Sequence, residues 1–212
     1  MSSDELFIRR AVVFGAALLY WAGVLVQAHR IRRRIGRSPN LKPRNAKEKV
    51  LLISWLLVIG SWLIQPLLAG HQNSPSFLQL DSPALTTGGF IVGVVMTVAG
   101  YAGTIWCYVI MGNTWRIGVN PAEKTTLVNQ GPYRVIRHPI YVFQIVMLAG
   151  AALLLPTVVS AITLIVHYVS ILAKAKDEEA YLLTVHGREY SDYMARTGRF
   201  CPKLSGKPSP TG

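Results

Sequence analysis

Four long stretches without a charged side chain dominate the hydrophobic pattern of this chain. They cover residues 11–28, 50–69, 84–111 and 140–173. None of them carries the polar face that an amphipathic surface helix presents to water. A helix that crosses a bilayer needs about 20 apolar residues, so each of the first three stretches predicts one membrane-spanning helix.

The fourth stretch is too long for a single crossing. Its 34 residues would form a helix of roughly 51 Å at 1.5 Å per residue, and Pro156 lies near its middle. We therefore predict two helices, over residues 140–155 and 156–173, that form a tight hairpin. The predicted fold class is an all-α integral membrane protein with five transmembrane segments, the last two forming the hairpin, followed by a cytoplasmic C-terminal helix.

The lysines and arginines are distributed unevenly between the connections. The chain has 22 Lys and Arg against 10 Asp and Glu, a formal net charge of +12. The cations fall in the first connection, in the third connection and after residue 173, and only Arg9 and Arg10 lie elsewhere. Because cytoplasmic loops carry the excess of Lys and Arg, we predict the N-terminus outside and the C-terminus in the cytoplasm, most simply in a prokaryotic inner membrane.

A cleaved signal peptide is the alternative interpretation of the first stretch. Arg9 and Arg10 would then form its basic region, and Val26-Gln27-Ala28 would precede the cleavage site. The dense arginine cluster that follows residue 28 opposes export of the segment after it. The pattern therefore favours a retained span.

Composition argues against several other classes of protein. Hydrophobic residues make up 51% and charged residues 15%, whereas soluble domains usually carry about 25% charged residues. The apolar content excludes disorder. The arginine-rich connection borders the membrane, where anionic lipid rather than nucleic acid is its expected partner. Cys107 lies in a span and Cys201 in the tail, so no disulfide is expected, and no metal-binding motif is present.

Two polar segments border the same predicted membrane face. In residues 131–141, Gly-Pro favours a turn and Pro139 can begin a helix, which places Arg137, His138 and Tyr141 at the mouth of the hairpin. After residue 173 the last span is expected to continue as a helix on which Lys174 and Glu178 share a face. Taken alone, these residues also fit an interfacial belt of tyrosine anchors and extended arginines.

Short motifs follow one another in a characteristic order along the C-terminal half. They are Gly-Asn-Thr-Trp at 112–115, Thr-Leu-Val at 126–128, Gly-Pro-Tyr at 131–133, Arg-His-Pro-Ile-Tyr at 137–141, Glu-Glu at 178–179, Gly-Arg-Glu-Tyr-Ser-Asp-Tyr at 187–193 and Arg-Phe-Cys-Pro at 199–202. In combination they resemble the isoprenylcysteine carboxyl methyltransferase family of integral-membrane enzymes, to which phospholipid N-methyltransferases are more distantly related. The resemblance implies one membrane domain over residues 1–212. In it, two spans and a basic cytoplasmic loop (1–83) precede a methyltransferase-like core (84–212).

In that family S-adenosylmethionine binds between the third connection, the hairpin mouth and the C-terminal helix. The resemblance therefore implies a set of cofactor-binding residues from these three parts of the chain: Asn120, Thr126, Leu127, Val128, Tyr133, His138, Pro139, Ile140, Tyr141 and Glu178. His138 and Tyr141 suit the cofactor's carboxylate, and Glu178 suits its ammonium or sulfonium group. Leu127 and Val128 suit the faces of the adenine.

The resemblance also implies which residues face the reaction. The candidate catalytic residues are Glu178, Arg137 and Lys174, and the candidate acceptor-binding residues are Lys174 and Trp115. The isoprenylcysteine enzymes have an arginine at the position of Lys174, where it contacts the acceptor's carboxylate. Lysine keeps the charge but lacks the planar fork. The sequence therefore leaves open whether a small or lipidic carboxylate, thiol or amine, entering from the membrane, receives the methyl group.

Two other functions also remain open. An intramembrane reductase that uses NADPH is one, because some sterol reductases share the helical arrangement of this site. A non-enzymatic subunit of a membrane assembly or transporter is the other. Binding of S-adenosylhomocysteine or of NADPH, or of neither, would separate the three functions.

Overall fold

The computed structural model describes residues 2–35, 43, 45–70, 75–78, 86–114 and 126–203. Within these residues the chain is helical and forms no β-strand. The α-helices are α1 (Ser3–Ile35), α2 (Ala46–Leu68), α3 (Thr87–Met111), α4 (Pro139–Leu154), α5 (Val158–His186) and α6 (Arg188–Arg196). Short 3₁₀ turns cover Ser76–Leu78, Gly112–Thr114 and Gly131–Arg134.

Four of these helices, α1, α2, α3 and α5, are long and apolar enough to cross a membrane. The helix α4 is equally apolar but has only 16 residues. Large apolar side chains such as Leu19, Leu57 and Val109 point outward from the bundle, where lipid would cover them. The structure therefore supports an all-helical membrane protein with four helices of spanning length, and the fifth crossing stays a prediction.

The predicted hairpin is present as α4 and α5, and the second helix continues past residue 173 as expected, but it begins later than predicted. Pro156 lies in the turn instead of opening the helix. The side chain of Thr157 accepts a hydrogen bond from the backbone N–H of Ser160 at 3.1 Å, and such a cap begins the helix at Val158. The helix then continues well past residue 173 to His186, and Gly187, with φ of 52°, separates it from α6.

The helices α3 and α4 approach so closely that glycine is required between them. A Cβ atom on Gly100 would lie 2.5 Å from the carbonyl oxygen of Phe143, and one on Gly103 would lie 2.3 Å from the ring of the same residue. Small residues allow this approach between membrane helices. Because the candidate site lies at the first turn of α4, the contact with α3 holds that turn in place.

The hydrophobic core lies between the helices in the interior of the bundle. The helix α1 contacts α2, α3 and α4, and α2 lies against α5. The buried residues at the centre of these contacts are Val13, Ala17, Tyr20, Val24, Val58, Trp62, Met147, Leu148 and Leu154. This core includes both N-terminal helices, so they form one bundle with the hairpin.

Arg9 and Arg10 bind helix ends at the opposite end of the bundle from the hairpin mouth. Arg9 is fully buried and donates hydrogen bonds to the carbonyl oxygens of Leu154, at 3.4 Å, and Thr86, at 3.0 Å, and it pairs with Glu5. Arg10 donates to the carbonyl oxygen of Pro66 near the end of α2. The last carbonyls of a helix lack partners within it, so Arg9 supplies a partner at the end of α4 and Arg10 supplies one near the end of α2.

Candidate active site at the mouth of the hairpin

The site begins with the short segment of chain that leads into α4. Gly131, with φ of 55°, opens the 3₁₀ turn Gly131–Arg134, and Pro139 is the first residue of α4. His138 precedes that helix, and its side chain makes no capping bond. The imidazole is therefore available for contacts with α5.

The ring of His138 lies between two carboxylates. Its Nδ1 is 3.4 Å from Oε2 of Glu178, and its Nε2 is 3.3 Å from Oε1 of Glu179. Burial by itself would lower the pKa of His138, but the hydrogen bonds and negative charges of the two glutamates outweigh burial and raise the pKa. The ring consequently keeps its proton to a higher pH than an exposed histidine does.

Glu178 is the more accessible of the two acids. Its side chain is 24% exposed, against 5% for Glu179. The hydroxyl of Tyr141 donates a hydrogen bond to Oε1 of Glu178 at 2.7 Å, and the Tyr141 ring stacks on His138 with centroids 5.5 Å apart. Lys174, one turn earlier on α5, is half-buried and near enough for its charge to act on Glu178. Glu178 can thus accept a further hydrogen bond from a bound molecule.

Glu179 is held by two arginines. Arg137 donates from Nε to Oε1 at 2.8 Å, and Arg199 donates from Nε to both carboxylate oxygens at 3.0 and 3.1 Å. Arg137 also donates to the carbonyl oxygens of Met194 and Thr197. A buried carboxylate requires such partners. The guanidinium of Arg137 is thereby engaged within the protein, which favours a role in holding Glu179.

The remaining sequence-predicted residues lie before or within the 3₁₀ turn Gly131–Arg134, at the start of α4, or outside the described residues. Thr126 is exposed, and Leu127 and Val128 are half-buried in the segment before the 3₁₀ turn. Tyr133 is buried, and its carbonyl oxygen accepts the hydroxyl of Tyr193 at 2.6 Å.

At the start of α4, Pro139 is buried and Ile140 half-buried. Trp115 and Asn120 lie outside the described residues. The structure therefore brings together His138, Tyr141 and Glu178.

Sequence reasoning assigned no role to Arg199 and Phe200, and it gave Glu179 only as an alternative to Glu178 for removing a proton from the acceptor. A signal for the pairing of Glu179 was nevertheless present. Adjacent residues on an α-helix point about 100° apart, so the two glutamates of α5 are expected to have different surroundings. The buried one needs a cation, and only the folded chain shows that Arg137 and Arg199 supply it.

The donors and acceptors of this cluster fit S-adenosylmethionine. The cofactor carries a carboxylate that needs hydrogen-bond donors, and it also carries an ammonium and a sulfonium that need an acid. His138 and Tyr141 are donors, and Glu178 is an acid with an accessible edge. Within the described ranges, the structure contains no group of three or more His, Cys, Asp or Glu that could hold a metal ion.

Comparisons with known proteins agree with the membrane methyltransferase pattern. A model of the phospholipid methyltransferase family matches residues 88–189. The chain is 27% identical over 151 residues to the nickel-cobalt-cadmium resistance protein NccN of Alcaligenes xylosoxydans xylosoxydans, and the match covers 71% of this chain and 64% of NccN. It is also 27% identical over 152 residues to the cobalt-zinc-cadmium resistance protein CzcN of Cupriavidus metallidurans, covering 71% and 63%. The matches thus span less than two thirds of either relative.

Among solved structures, the chain is similar to the eukaryotic intramembrane Ras methyltransferase, isoprenylcysteine carboxyl methyltransferase. The TM-score is 0.58 at 17% identity, and the match covers 94% of this chain and 70% of that one. This likeness describes the fold. Together the findings confirm the family resemblance: the chain is an integral membrane protein with the isoprenylcysteine carboxyl methyltransferase fold, and its residues 88–189 match the phospholipid methyltransferase family.

Proposed function

We propose that this protein transfers a methyl group from S-adenosylmethionine to a small or lipidic acceptor that reaches the site from the bilayer. The observation that carries the proposal is the cluster of His138, Tyr141 and Glu178 at the mouth of the hairpin. This cluster lies inside the segment that matches the phospholipid methyltransferase family.

The residues of the cluster would hold the cofactor by its charged groups. When bound, S-adenosylmethionine supplies an activated methyl group on a positively charged sulfur. His138 would donate a hydrogen bond to its carboxylate, as would the hydroxyl of Tyr141 on exchanging Glu178 for the cofactor, and Glu178 would face its positive groups. Leu127 and Val128 would cover the adenine.

The protein's own contribution to rate would come mainly from placement and from exclusion of water. Methyl transfer requires the acceptor atom in line with the bond that breaks, and fixing this geometry in a dry site supplies much of the acceleration. Lys174 lies one turn from Glu178 and would attract an acceptor with negative charge. Trp115 remains the second proposed acceptor-binding residue.

The two glutamates differ in what they could do for the acceptor. A carboxylate or thiolate needs no base, whereas an amine or thiol must lose a proton. Glu179 forms ion pairs with two arginines, which disfavours proton uptake. Glu178, with its accessible edge, is therefore the proposed base if the acceptor is an amine or a thiol.

A direct experiment tests this proposal with purified protein in detergent. We expect S-adenosylhomocysteine to raise the unfolding temperature, because a ligand present at 100 times its Kd stabilises the folded state by about 2.7 kcal/mol. Labelled methyl groups should pass from S-adenosylmethionine to an acceptor in a lipid extract, and Glu178→Gln should reduce the transfer. Stabilisation by NADPH alone would support a reductase instead.

The names of two relatives favour a second candidate function. In it, the protein would contribute to tolerance of transition-metal cations without transferring a methyl group. NccN and CzcN are described as resistance proteins for nickel, cobalt, cadmium and zinc. The two functions separate in a metal-sensitive host that expresses this chain. Rescue of growth on cobalt by wild type but not by Glu178→Gln would tie tolerance to the proposed reaction. Equal rescue by both would support the non-enzymatic role.

A further inference from the structure

Three consecutive residues after α6 contact the site by different routes. The carbonyl oxygen of Gly198 accepts the N–H of Arg137 at 2.8 Å, and that of Arg199 accepts the N–H of His138 at 3.1 Å. The Arg199 side chain binds Glu179, and the ring of Phe200 lies 5.9 Å from that of His138. We call these residues, Gly198 to Phe200, the C-terminal clasp. They lie beyond residue 189, where the family match ends.

The clasp has little freedom to move away from the hairpin mouth. Gly198 forms a parallel bridge with Ile136, and its N–H donates to the carbonyl oxygen of Val135 at 3.3 Å. A Cβ atom on Gly198 would lie 1.6 Å from the carbonyl oxygen of Cys201, so a larger residue would displace the backbone. The side chain of Arg199 is therefore presented to Glu179 from a fixed position.

The side chain of Arg199 acts on the His138 ring through Glu179. Two nitrogens of its guanidinium engage both oxygens of the Glu179 carboxylate, and one of those oxygens lies 3.3 Å from Nε2 of His138. A paired, planar contact of this kind fixes the orientation of a carboxylate as well as its charge. The orientation of Glu179 in turn determines where a hydrogen bond from His138 can be accepted.

We propose that Arg199 is a positioning residue that sets the orientation of the His138 ring by holding Glu179. In this arrangement Nε2 is committed to Glu179, and Nδ1 is left to face Glu178 and a bound molecule. The part of the proposal that concerns cofactor rests on the proposed function. The effect on His138 is a property of the chain alone and is measurable without any ligand.

The neighbours of His138 determine the direction of the expected effect. Glu178 and Glu179 face the ring from α5, Tyr141 stacks on it from α4, and Phe200 lies against it from the clasp. Arg137 and Arg199 compensate the charge of Glu179, and Lys174 acts on Glu178. Removal of Arg199 leaves Glu179 less compensated, so His138 should hold its proton to higher pH.

Titration of His138 in the full-length, ligand-free protein tests the proposal. Nitrogen-15 NMR of labelled histidines reports both the midpoint of titration and which ring nitrogen carries the proton, and His138→Gln identifies the signal. We expect Arg199→Gln to move the midpoint to higher pH and to change the tautomer of His138. In Arg199→Lys the midpoint should return toward the wild-type value, whereas the tautomer should recover less. Arg196→Gln is the matched control, because Arg196 is exposed and its side chain bonds the carbonyl of Asp192 in its own helix.

Cofactor affinity provides the second measurement. We expect Arg199→Gln to bind S-adenosylhomocysteine about tenfold more weakly, since the His138 ring is no longer oriented to donate a hydrogen bond to the ligand's carboxylate. Arg196→Gln should bind as wild type does. An unchanged His138 titration in a folded Arg199→Gln protein would overturn the proposal. If Arg199→Gln does not fold, Arg199→Lys is measured instead, and an unchanged His138 tautomer in that variant would overturn the proposal. Failure of wild type to bind the ligand would overturn the proposed function and leave the titration result standing.

Discussion

Two adjacent glutamates on α5 show how neighbouring side chains acquire different roles. Glu178 is half-buried beside His138 and Tyr141, and Glu179 is buried between two arginines. The role proposed for Glu178 could be predicted from its motif and from its helical spacing to Lys174. The pairing of Glu179 with Arg199 could not be predicted, because the position of Arg199 depends on the path of the chain after α6.

The hydroxyl of Tyr141 provides a test at this scale that leaves the packing intact. We expect Tyr141→Phe to weaken binding of S-adenosylhomocysteine about tenfold, because a hydrogen bond to a charged group is lost. Isothermal titration calorimetry measures the affinity. Tyr168→Phe, on an exposed part of α5, serves as the control. Equal affinity of Tyr141→Phe and wild type would show that this hydroxyl does not support the cofactor.

The proton on His138 should make the stability of the fold depend on pH. The pKa of His138 is raised above its ordinary value of 6.5, because the two glutamates outweigh the lowering effect of burial. Such a group stabilises the folded state fully below the pKa it has in the unfolded chain, and the contribution is lost as pH rises through the raised pKa.

We therefore expect the free energy of unfolding of wild type to decrease over that range. In His138→Gln this part of the decrease should be absent. Unfolding by sodium dodecyl sulfate in mixed micelles, repeated at several pH values, measures both profiles. Profiles of the same shape would contradict a proton held by the two carboxylates.

At the scale of helices, the existence of the elements was easier to predict than their contacts. Apolar stretches of about 20 residues mark spanning helices by length alone, and the hairpin follows from Pro156 within one long stretch. These helices are apolar on nearly every side, so their pattern does not say which faces meet. The close contact of α3 with α4 depends on Gly100 and Gly103, whose spacing became informative only once Phe143 was known to lie opposite.

Substitution of Gly100 tests this helix contact. We expect Gly100→Ala to destabilise the protein by about 1–3 kcal/mol, because the added methyl group would meet the backbone of α4, and to reduce cofactor binding by displacing the first turn of α4. Gly60→Ala is the matched control. Gly60 also lies inside a helix, nothing lies within 4 Å of its added methyl group, and alanine favours helix. Thermal unfolding compares the two, and equal stability would contradict a tight α3–α4 contact.

At the scale of the whole molecule, positive charge is separated between the two ends of the bundle. The arginines at the end of α1, such as Arg32 and Arg33, are exposed, whereas Arg9 and Arg10 bind carbonyl oxygens at the other end. The predicted orientation depended on counting these side chains as loop charges. Only the structure shows that Arg9 and Arg10, which lie outside the predicted cytoplasmic segments, have hydrogen-bond partners within the protein.

The two native cysteines allow the predicted orientation to be measured. Cys201 is exposed near the candidate site, and Cys107 is buried in α3. In spheroplasts of a bacterial host, we expect a membrane-impermeant maleimide to leave wild type unlabelled and to label inverted membrane vesicles through Cys201. Ser3→Cys combined with Cys201→Ser should show the reverse accessibility. Labelling of Cys201 in intact spheroplasts would contradict a cytoplasmic C-terminus.

The burial of Arg9 has a consequence for how the protein is assembled in the membrane. Its partner Thr86 lies 77 residues later in the chain, and Leu154 lies 145 residues later. When α1 is first synthesised, Glu5 is the partner present in its own helix, and an unshielded arginine among lipid chains is costly. We therefore expect the N-terminal end of α1 to reach its final depth only after the turn between α4 and α5 has been made.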